Sequence, residues 1–328
     1  MEYITLADYD SHPNPLVAGV AKTMRATSPF IDILPFKTIS AKRVETARDT
    51  AGLPESNWRE FGTEHGSTKA DKPELVNERI YSIGDVIAID KTDMRDQSKK
   101  LYDPRVYQTE KRTKCITRKF VTSAILGTPE DEMNPVGLMY RVNNFAAAEN
   151  RLNANALDIT ATAAGLAANA TTLFEKLDEM LYRLCDSLDN TKGVYLLTND
   201  TVILRYNSLA RQFGNLKTTE DALGRTFSQY KGATFVDMGK KNDDVTRILG
   251  NAELTDGSAL TGGTCSSIIG MRIGDELVTG IQEYDLEVSP FEVAPGSVLY
   301  QSVIDWAVGI AVTDPRHSLA RLSGLKAA

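Results

Sequence analysis

SAKRVETARDTAGLPESNWREFGTEHGSTKADKPEL, residues 40–75, is the stretch on which the fold turns. Of its 36 residues 13 are charged, and only Val44, Leu53, Trp58, Phe61 and Leu75 are large apolar groups. It lies between two runs that read as strands, 36–39 (Phe-Lys-Thr-Ile) and 79–83 (Arg-Ile-Tyr-Ser-Ile). Gly52-Leu53-Pro54, Gly62 and Gly66 interrupt its outer half. The pattern predicts a long two-stranded arm with almost nothing of its own to bury, and such a hairpin is marginal in water. Its stability has to come from another surface, and a second copy of the same chain supplies one. The stretch points to assembly before it points to chemistry.

Residues 1–35 are segmented by His12-Pro13-Asn14-Pro15, Ser28-Pro29 and Leu34-Pro35. Between these breaks Leu16, Val17, Val20, Ala21 and Met24 recur at helical spacing, which predicts one short amphipathic helix inside an otherwise extended arm. On the other side of the hairpin, residues 78–90 are rich in Ile, Val and Tyr and read as its return strand. Asp103 then stands as an N-cap with Pro104 at the first helical position, and Gly127-Thr128-Pro129 stops the helix after Leu126. At about 1.5 Å per residue this helix spans about 35 Å. Val106 and Tyr107 are its sparse apolar groups at the start, whereas Cys115, Ile116, Phe120, Val121, Ala124 and Ile125 crowd its second half. Only the second half is expected to be deeply buried.

Residues 145–170 contain 11 alanines in 26 positions and read as a loose connection. Thr172-Leu-Phe-Glu175 is a capping box that opens a helix with Leu173, Leu177, Met180, Leu181 and Leu184 on one face. Short strands are predicted at 193–197, 233–236 and 267–271. A helix capped by Asn199 and Asp200 is predicted to run to about Phe213. Near the C-terminus Val298, Tyr300, Ile304, Trp306, Val308, Ile310 and Val312 alternate, broken only by Ser302, as in a long strand buried on one side. Asp314-Pro315 turns it into a short return at Ala320-Arg321-Leu322. Mixed helices and strands of this kind make an α+β fold.

With 42% hydrophobic and 25% charged residues the chain can build an ordinary core. A net charge of −7 argues against nucleic-acid binding over the whole surface. Cys115, Cys185 and Cys265 lie far apart and read as buried thiols of a reducing compartment. No basic-then-apolar leader is seen at Met1-Glu-Tyr-Ile4, and the apolar run 302–312 falls short of the ~20 residues a bilayer requires, so a soluble chain with no membrane partner is expected. None of His12, His65 and His317 is paired at ligand spacing. A Gly-x-Ser-x-Gly elbow is missing, Gly239-Lys-Lys241 lacks the rest of a phosphate loop, and Asp256-Gly-Ser258 lacks alternating oxygen ligands. Asp243-Asp244 reads as a solvated turn. No catalytic, cofactor-binding or metal residue is assigned, and no enzyme or cofactor is expected.

One charge feature stands apart. Lys99, Lys100, Arg105, Lys111, Arg112, Lys114, Arg118 and Lys119 face only Asp103 and Glu110 over the same run. A salt-bridged helix face is the favoured reading, because the chain is acidic and no aromatics are interleaved for base stacking. Contact with acidic arms of adjacent copies, or with nucleic acid on one face, is the sharper alternative.

Four segments, in this order, resemble the major capsid proteins of tailed bacteriophages, the Hong Kong 97-like fold. Pro15-Leu-Val-Ala-Gly-Val20 followed by Ser28-Pro-Phe-Ile-Asp-Ile-Leu-Pro35 is similar to the family's N-terminal arm. Leu53-Pro-Glu-Ser-Asn-Trp-Arg-Glu-Phe-Gly62 sits where the extended-loop tip belongs. Residues 127–138, with Asn134-Pro-Val-Gly-Leu138, resemble the turn leaving the spine helix, and residues 306–321, with Asp314-Pro-Arg316, resemble the closing strand and turn.

The resemblance implies an N-terminal arm at 1–37, an extended loop at 38–90, a peripheral domain at 91–164 and 286–328, and an axial domain at 165–285. It implies hexamers and pentamers of one chain closing an icosahedral shell around a dsDNA genome that touches the inner face only weakly. Its place is the virion capsid, assembled in the host cytoplasm. Implied partners are a separate scaffolding protein, since the chain begins almost at the arm, a portal, and a decoration protein. Contact candidates between subunits are Pro29, Phe30, Leu53, Trp58, Arg59, Phe61, Lys111, Arg112 and Arg118. Lys69 and Lys72 lie where one member of the family cross-links, but no partner Asn/Glu pair can be assigned and the chemistry is not carried over. The alternatives are an encapsulin-type compartment, a small-oligomer enzyme or ligand-binding protein, and a DNA-binding module built on residues 99–119.

Overall fold

Alternation near the C-terminus produces the 14-residue strand Leu299–Val312, the spine of one of two seven-stranded sheets in the computed structural model. The structure describes residues 3–48, 58–64, 74–95, 103–160, 165–185, 191–274, 277–293 and 296–328. Strand Tyr81–Asp90 runs antiparallel along the spine strand, with Ile83 opposite Trp306. Val278–Gln282, Glu287–Val288 and Glu292–Val293 also pair with it, in succession. Phe36–Thr38 adds parallel to Val278–Gln282, and Tyr3–Ile4 closes that edge. Ile304, Trp306, Val308, Ile310 and Val312 are all buried as the alternation requires, while Val298 lies outside the strand and exposed. From Trp306 onward Ala307 and Ala311 are buried too, so the spine strand is one-sided only in its first half.

Helix Pro104–Leu126 has the predicted bounds: the Asp103 carboxylate accepts the Arg105 amide at 2.9 Å. Ile116, Phe120, Val121, Ala124 and Ile125 bury its second half against the first sheet, and Val106 and Tyr107 stay exposed at its start. Phe36, Phe120 and Trp306 meet there, with ring centroids 5.0 to 6.5 Å apart. Gly280 completes this contact, since a Cβ built on it would collide with the Phe36 ring. Gly280→Ala is therefore expected to cost about 1–3 kcal/mol of stability in denaturant unfolding, although alanine normally outperforms glycine in a strand.

A polar chain lies beside the three rings. The Trp306 indole N–H donates to Gln282, whose amide donates to Thr38 and Asp285. The Tyr9 hydroxyl also donates to Asp285, at 3.0 Å; burial pushes this phenol up to about 12, so it keeps its proton.

The second sheet has the order Arg151–Asp158, Leu319–Lys326, Ser266–Arg272, Val194–Thr198, Ala233–Asp237, Thr226–Tyr230, Lys217–Glu220. Helices Leu166–Cys185 and Asp200–Gln212 cover it through Leu173, Leu177, Leu181, Tyr206 and Leu209. Asn199 caps the latter as predicted, accepting the Val202 amide at 3.0 Å.

Several expectations are corrected. Phe36–Thr38 belongs to the first sheet rather than to the hairpin, whose strands are Arg43–Arg48 and Glu74–Arg79. Residues 3–37 form no extended arm. Helix Pro15–Thr27, helix Pro29–Ile33 and the buried Leu6, Tyr9, Met24, Phe30, Ile31 and Leu34 pack into the first core. The supposed loose connection holds strand Arg151–Asp158. Its alternation is masked by a bulge at Asn155 and Ala156, both at positive φ. The helix expected from Thr172 starts at Leu166, because Ala167, Ala168 and Ala170 are strong helix formers.

Sheet membership also cuts across the expected domain ranges. Val278–Gln282 joins the first sheet, and the C-terminal strand Leu319–Lys326 enters the second between Arg151–Asp158 and Ser266–Arg272. Among the described residues no helix is long and apolar enough to cross a membrane.

Candidate assembly surfaces

The hairpin belongs to neither large sheet, and its root is clamped by a buried ion pair. Both Glu78 carboxylate oxygens accept from the Arg141 guanidinium. Arg141 also donates to the carbonyls of Ile310 (3.2 Å) and Val136 (3.0 Å). Glu78 and Arg141 are 5% and 2% exposed, so this bidentate contact ties the base of the arm to the spine strand with little water present. Outward from the clamp, large apolar side chains among the described residues are exposed. Leu75 is exposed, and at the tip Trp58 and Phe61 reach 102% and 106% exposure. The tip is nevertheless ordered by a β-turn over residues 60–63: Thr63 N–H donates to the Glu60 carbonyl, Gly62 takes φ +92°, and Arg59 donates to the Thr63 carbonyl at 2.7 Å. Leu53, Lys69 and Lys72 lie outside the described residues.

Helix Pro15–Thr27, capped by the Asn14 side chain on the Leu16 amide, lies beside the first half of helix Pro104–Leu126. The two leave a groove of about 590 Å³ lined by Leu16, Gly19, Val20, Val106, Thr109 and Phe291, among others. Val106 and Leu16 are exposed there. Val106, one of the sparse apolar residues early in the long helix, thus has a location: it walls a cleft that exists only once the N-terminal helix is docked.

Other contact candidates separate. Phe30 is 0% exposed and belongs to this chain's own core, so it is withdrawn as a contact between subunits; Pro29 is half-buried beside it. The basic run is largely neutralised internally. Arg105 pairs with Asp103, Arg112 with Asp85 (2.9 Å), Lys114 with Glu110 (2.7 Å) and Arg118 with Asp244. The Lys111 ammonium lies 6.0 Å from the Tyr107 ring centroid. Arg112 and Arg118 are therefore engaged within the chain, as the salt-bridge reading had it. Lys99 and Lys100 lie outside the described residues.

Two charge clusters were invisible in the sequence because their members are far apart in it. Asp32, buried, accepts from Arg25 Nε (2.6 Å) and from Arg225. Arg25 also reaches Asp10, Arg225 also reaches Asp221, and Arg225 donates to the Arg25 carbonyl. This cluster fastens the N-terminal segment to the turn between strands Lys217–Glu220 and Thr226–Tyr230, which is why no free arm forms. The second is Arg321, which donates to Glu253 and to Asn143 (2.8 Å). Burial pushes the Glu253 carboxyl up and Arg321 pulls it back.

His12 accepts from the Asn14 amide, and His317 lies 2.6 Å from Asp314; His65 is outside the described residues. Asp243 closes its turn by accepting the Val245 and Thr246 amides. Among the described residues no group of three or more His, Cys, Asp or Glu side chains is placed to hold a metal ion.

No protein-family model and no curated protein matches the sequence. Solved structures do match over nearly its whole length. The holo-SrpI encapsulin complex of Synechococcus elongatus PCC 7942 superimposes with a TM-score of 0.59 at 14% identity, covering 93% of this chain and 90% of that one. The capsid of the native GTA particle gives 0.58 at 14% identity, covering 90% of each chain. The chain has the Hong Kong 97-like capsid fold. The capsid of the cyanophage P-SCSP1u shares it, with a TM-score of 0.54 at 16% identity over 92% of this chain and 88% of that one.

Proposed function

We propose that the protein is a shell-forming major capsid protein of a tailed bacteriophage, assembling as hexamers and pentamers around dsDNA. The observation that carries the reading is the tip of the hairpin. Among the described residues Trp58 and Phe61 stand fully exposed on a hydrogen-bonded turn, at a cost that burial against another molecule removes. The hairpin serves as the extended loop, the first sheet with the long helix as the peripheral domain, and the second sheet as the axial domain. A net charge of −7 suits a lining that repels the genome it encloses. The particle would form in the host cytoplasm and end as the virion capsid, with a scaffolding protein, a portal and a decoration protein as partners. Its role is structural, not enzymatic.

The encapsulin likeness supports a second reading, a compartment around protein cargo. Purified particles distinguish the two: nuclease-protected dsDNA supports the phage capsid, an enclosed protein the compartment.

Trp58→Ala/Phe61→Ala is expected to leave a folded subunit, with unfolding shifted by less than about 0.5 kcal/mol because both rings are fully exposed among the described residues. It should form no closed particles by negative-stain microscopy and sedimentation under conditions where the parent chain does. Wild-type yields of particles from the double variant would refute the proposal.

A further inference from the structure

We infer that a polar cleft at the edge of the second sheet binds a single carboxylate, held by the Arg151 guanidinium and the carboxamides of Asn143 and Asn153. The inference is independent of the shell-forming reading, since it concerns the folded chain whether or not particles form.

The cleft has about 270 Å³ and is lined by Asn143, Arg151, Asn153, Ser258, Arg321 and Ser323, among others. Helix Leu138–Asn144, strands Arg151–Asp158 and Leu319–Lys326, and the turn closed by the Gly257 amide on the Leu254 carbonyl all contribute to it.

Its hydrogen-bonding groups are not balanced. Asn143 Oδ1 accepts from Arg321 at 2.8 Å, and Asn153 Oδ1 accepts from the Asn155 amide at 2.7 Å. Both carboxamides have thus committed their oxygen inside the chain and kept their NH₂ groups, which donate only. Arg151 donates once, to the Asn143 carbonyl at 2.9 Å, and has no carboxylate partner among the described residues. That single bond tethers an otherwise exposed guanidinium and leaves its remaining N–H groups for a planar acceptor. Arg321, 4% exposed, is short of acceptors too: Asn143 and Glu253 take its two terminal nitrogens, and its buried Nε has none.

The backbone is bent to make this arrangement. Asn155 and Ala156 take positive φ in the bulge beside Asn153, and a Cβ on Gly324 would come within 2.5 Å of Asn153 Oδ1. Bulges re-aim side chains in this way. Across the cleft a Cβ on Gly257, at φ +73°, would lie 2.8 Å from the Ser323 Cβ and 3.2 Å from Arg321 Nη2, so only glycine lets the turn approach so closely.

Charge selects the ligand. Arg151 and Arg321 are matched by Glu253 and Asp256, so a dianionic phosphate finds no surplus, whereas one carboxylate fits the one guanidinium that lacks a counter-ion. Asp256 Oδ1 accepts the Ser258 amide (3.0 Å) and hydroxyl (2.7 Å), and its Oδ2 has no partner among the described residues. That oxygen suits an N–H donor carried beside the carboxylate, as in an acidic side chain of a polypeptide; a free small carboxylate is the other source.

Ligand-observed saturation-transfer NMR on the full chain, at constant ionic strength in chloride, tests this with propionate, propionamide, inorganic phosphate and aspartate blocked as its N-acetyl amide. Propionate and blocked aspartate are expected to bind, and propionamide and phosphate to give no transfer. Blocked aspartate binding about tenfold more tightly identifies a polypeptide side chain as the source; equal binding identifies a free carboxylate. Arg151→Gln should unfold at the parent's denaturant midpoint and weaken both by about tenfold or more, the worth of one charge-assisted hydrogen bond. Arg151→Lys, which keeps the charge without the fork, should fall between the two. Absence of transfer to either carboxylate, equal transfer to propionamide or phosphate, or parent-like binding by both Arg151 variants would overturn the site.

Discussion

Replacing Arg141 by alanine is expected to lower the unfolding free energy by about 3–5 kcal/mol, the usual cost of breaking a buried ion pair from one side. The loss is that large because three acceptors lose the guanidinium at once. Glu78 keeps its charge in a site that is 5% exposed, and the carbonyls of Val136 and Ile310 lose their donor. Without the guanidinium the root of the hairpin loses its side-chain tie to the spine strand. The effect is therefore expected to be local as well as global: amides of Glu74–Arg79 should exchange with solvent much faster than those of the second sheet.

Glu78→Leu/Arg141→Met separates the pair's charge from its packing. Well-packed apolar replacements of buried ion pairs are often neutral, so the double variant should recover most of the lost stability. A denaturant titration checks both. An Arg141→Ala midpoint equal to the parent's would mean that the clamp contributes nothing. Assembly should also suffer, since an arm with a loose root presents Trp58 and Phe61 over many directions and loses orientational entropy on docking.

Trp306→Ala carries a similar expected loss, about 3–5 kcal/mol, by a different mechanism. Here the indole is the meeting point of the spine strand, the long helix and the N-terminal strand, through Phe120 at 5.6 Å and Phe36 at 5.0 Å. Truncation leaves a cavity between rigid elements that cannot collapse onto each other, and it strips Gln282 of its donor. Trp306→Phe should cost roughly a third to a half as much, since most of the contact survives while the hydrogen bond is lost. The two variants together apportion the site between packing and polar chain. Comparable losses for both in chemical denaturation would show that the hydrogen bond, not the ring contact, dominates.

Both residues show where reading the chain succeeds and where it stops. Trp306 was legible as a core residue because strand periodicity alone puts it in register with Ile304 and Val308. The 103–126 helix was legible to the residue because Asp103, Pro104 and Gly127 signal its ends through local backbone chemistry. Arg141 was not legible: its partner Glu78 lies 63 positions away, and no local rule distinguishes a charge that will be buried from one that will be solvated. The N-terminal arm was misread for the same reason. Its prolines do break it into segments, but the Arg25–Asp32–Arg225 contacts that fold those segments onto the body span up to 200 positions. Strand Arg151–Asp158 was missed because a bulge erased its alternation.

The hairpin tip and the groove between the two helices show both limits. That Trp58 and Phe61 have nothing near them to bury follows from composition, since neighbouring residues in the chain are charged or small. That a groove lies between two helices follows from nothing local, because its walls come from residues some 90 positions apart. Short-range signals (caps, alternation, turn residues) act through the backbone within a few residues, and these the amino-acid order determined by itself. Clefts, clamps and the folding-down of the arm depend on which distant surfaces meet, and only the packed chain decided them.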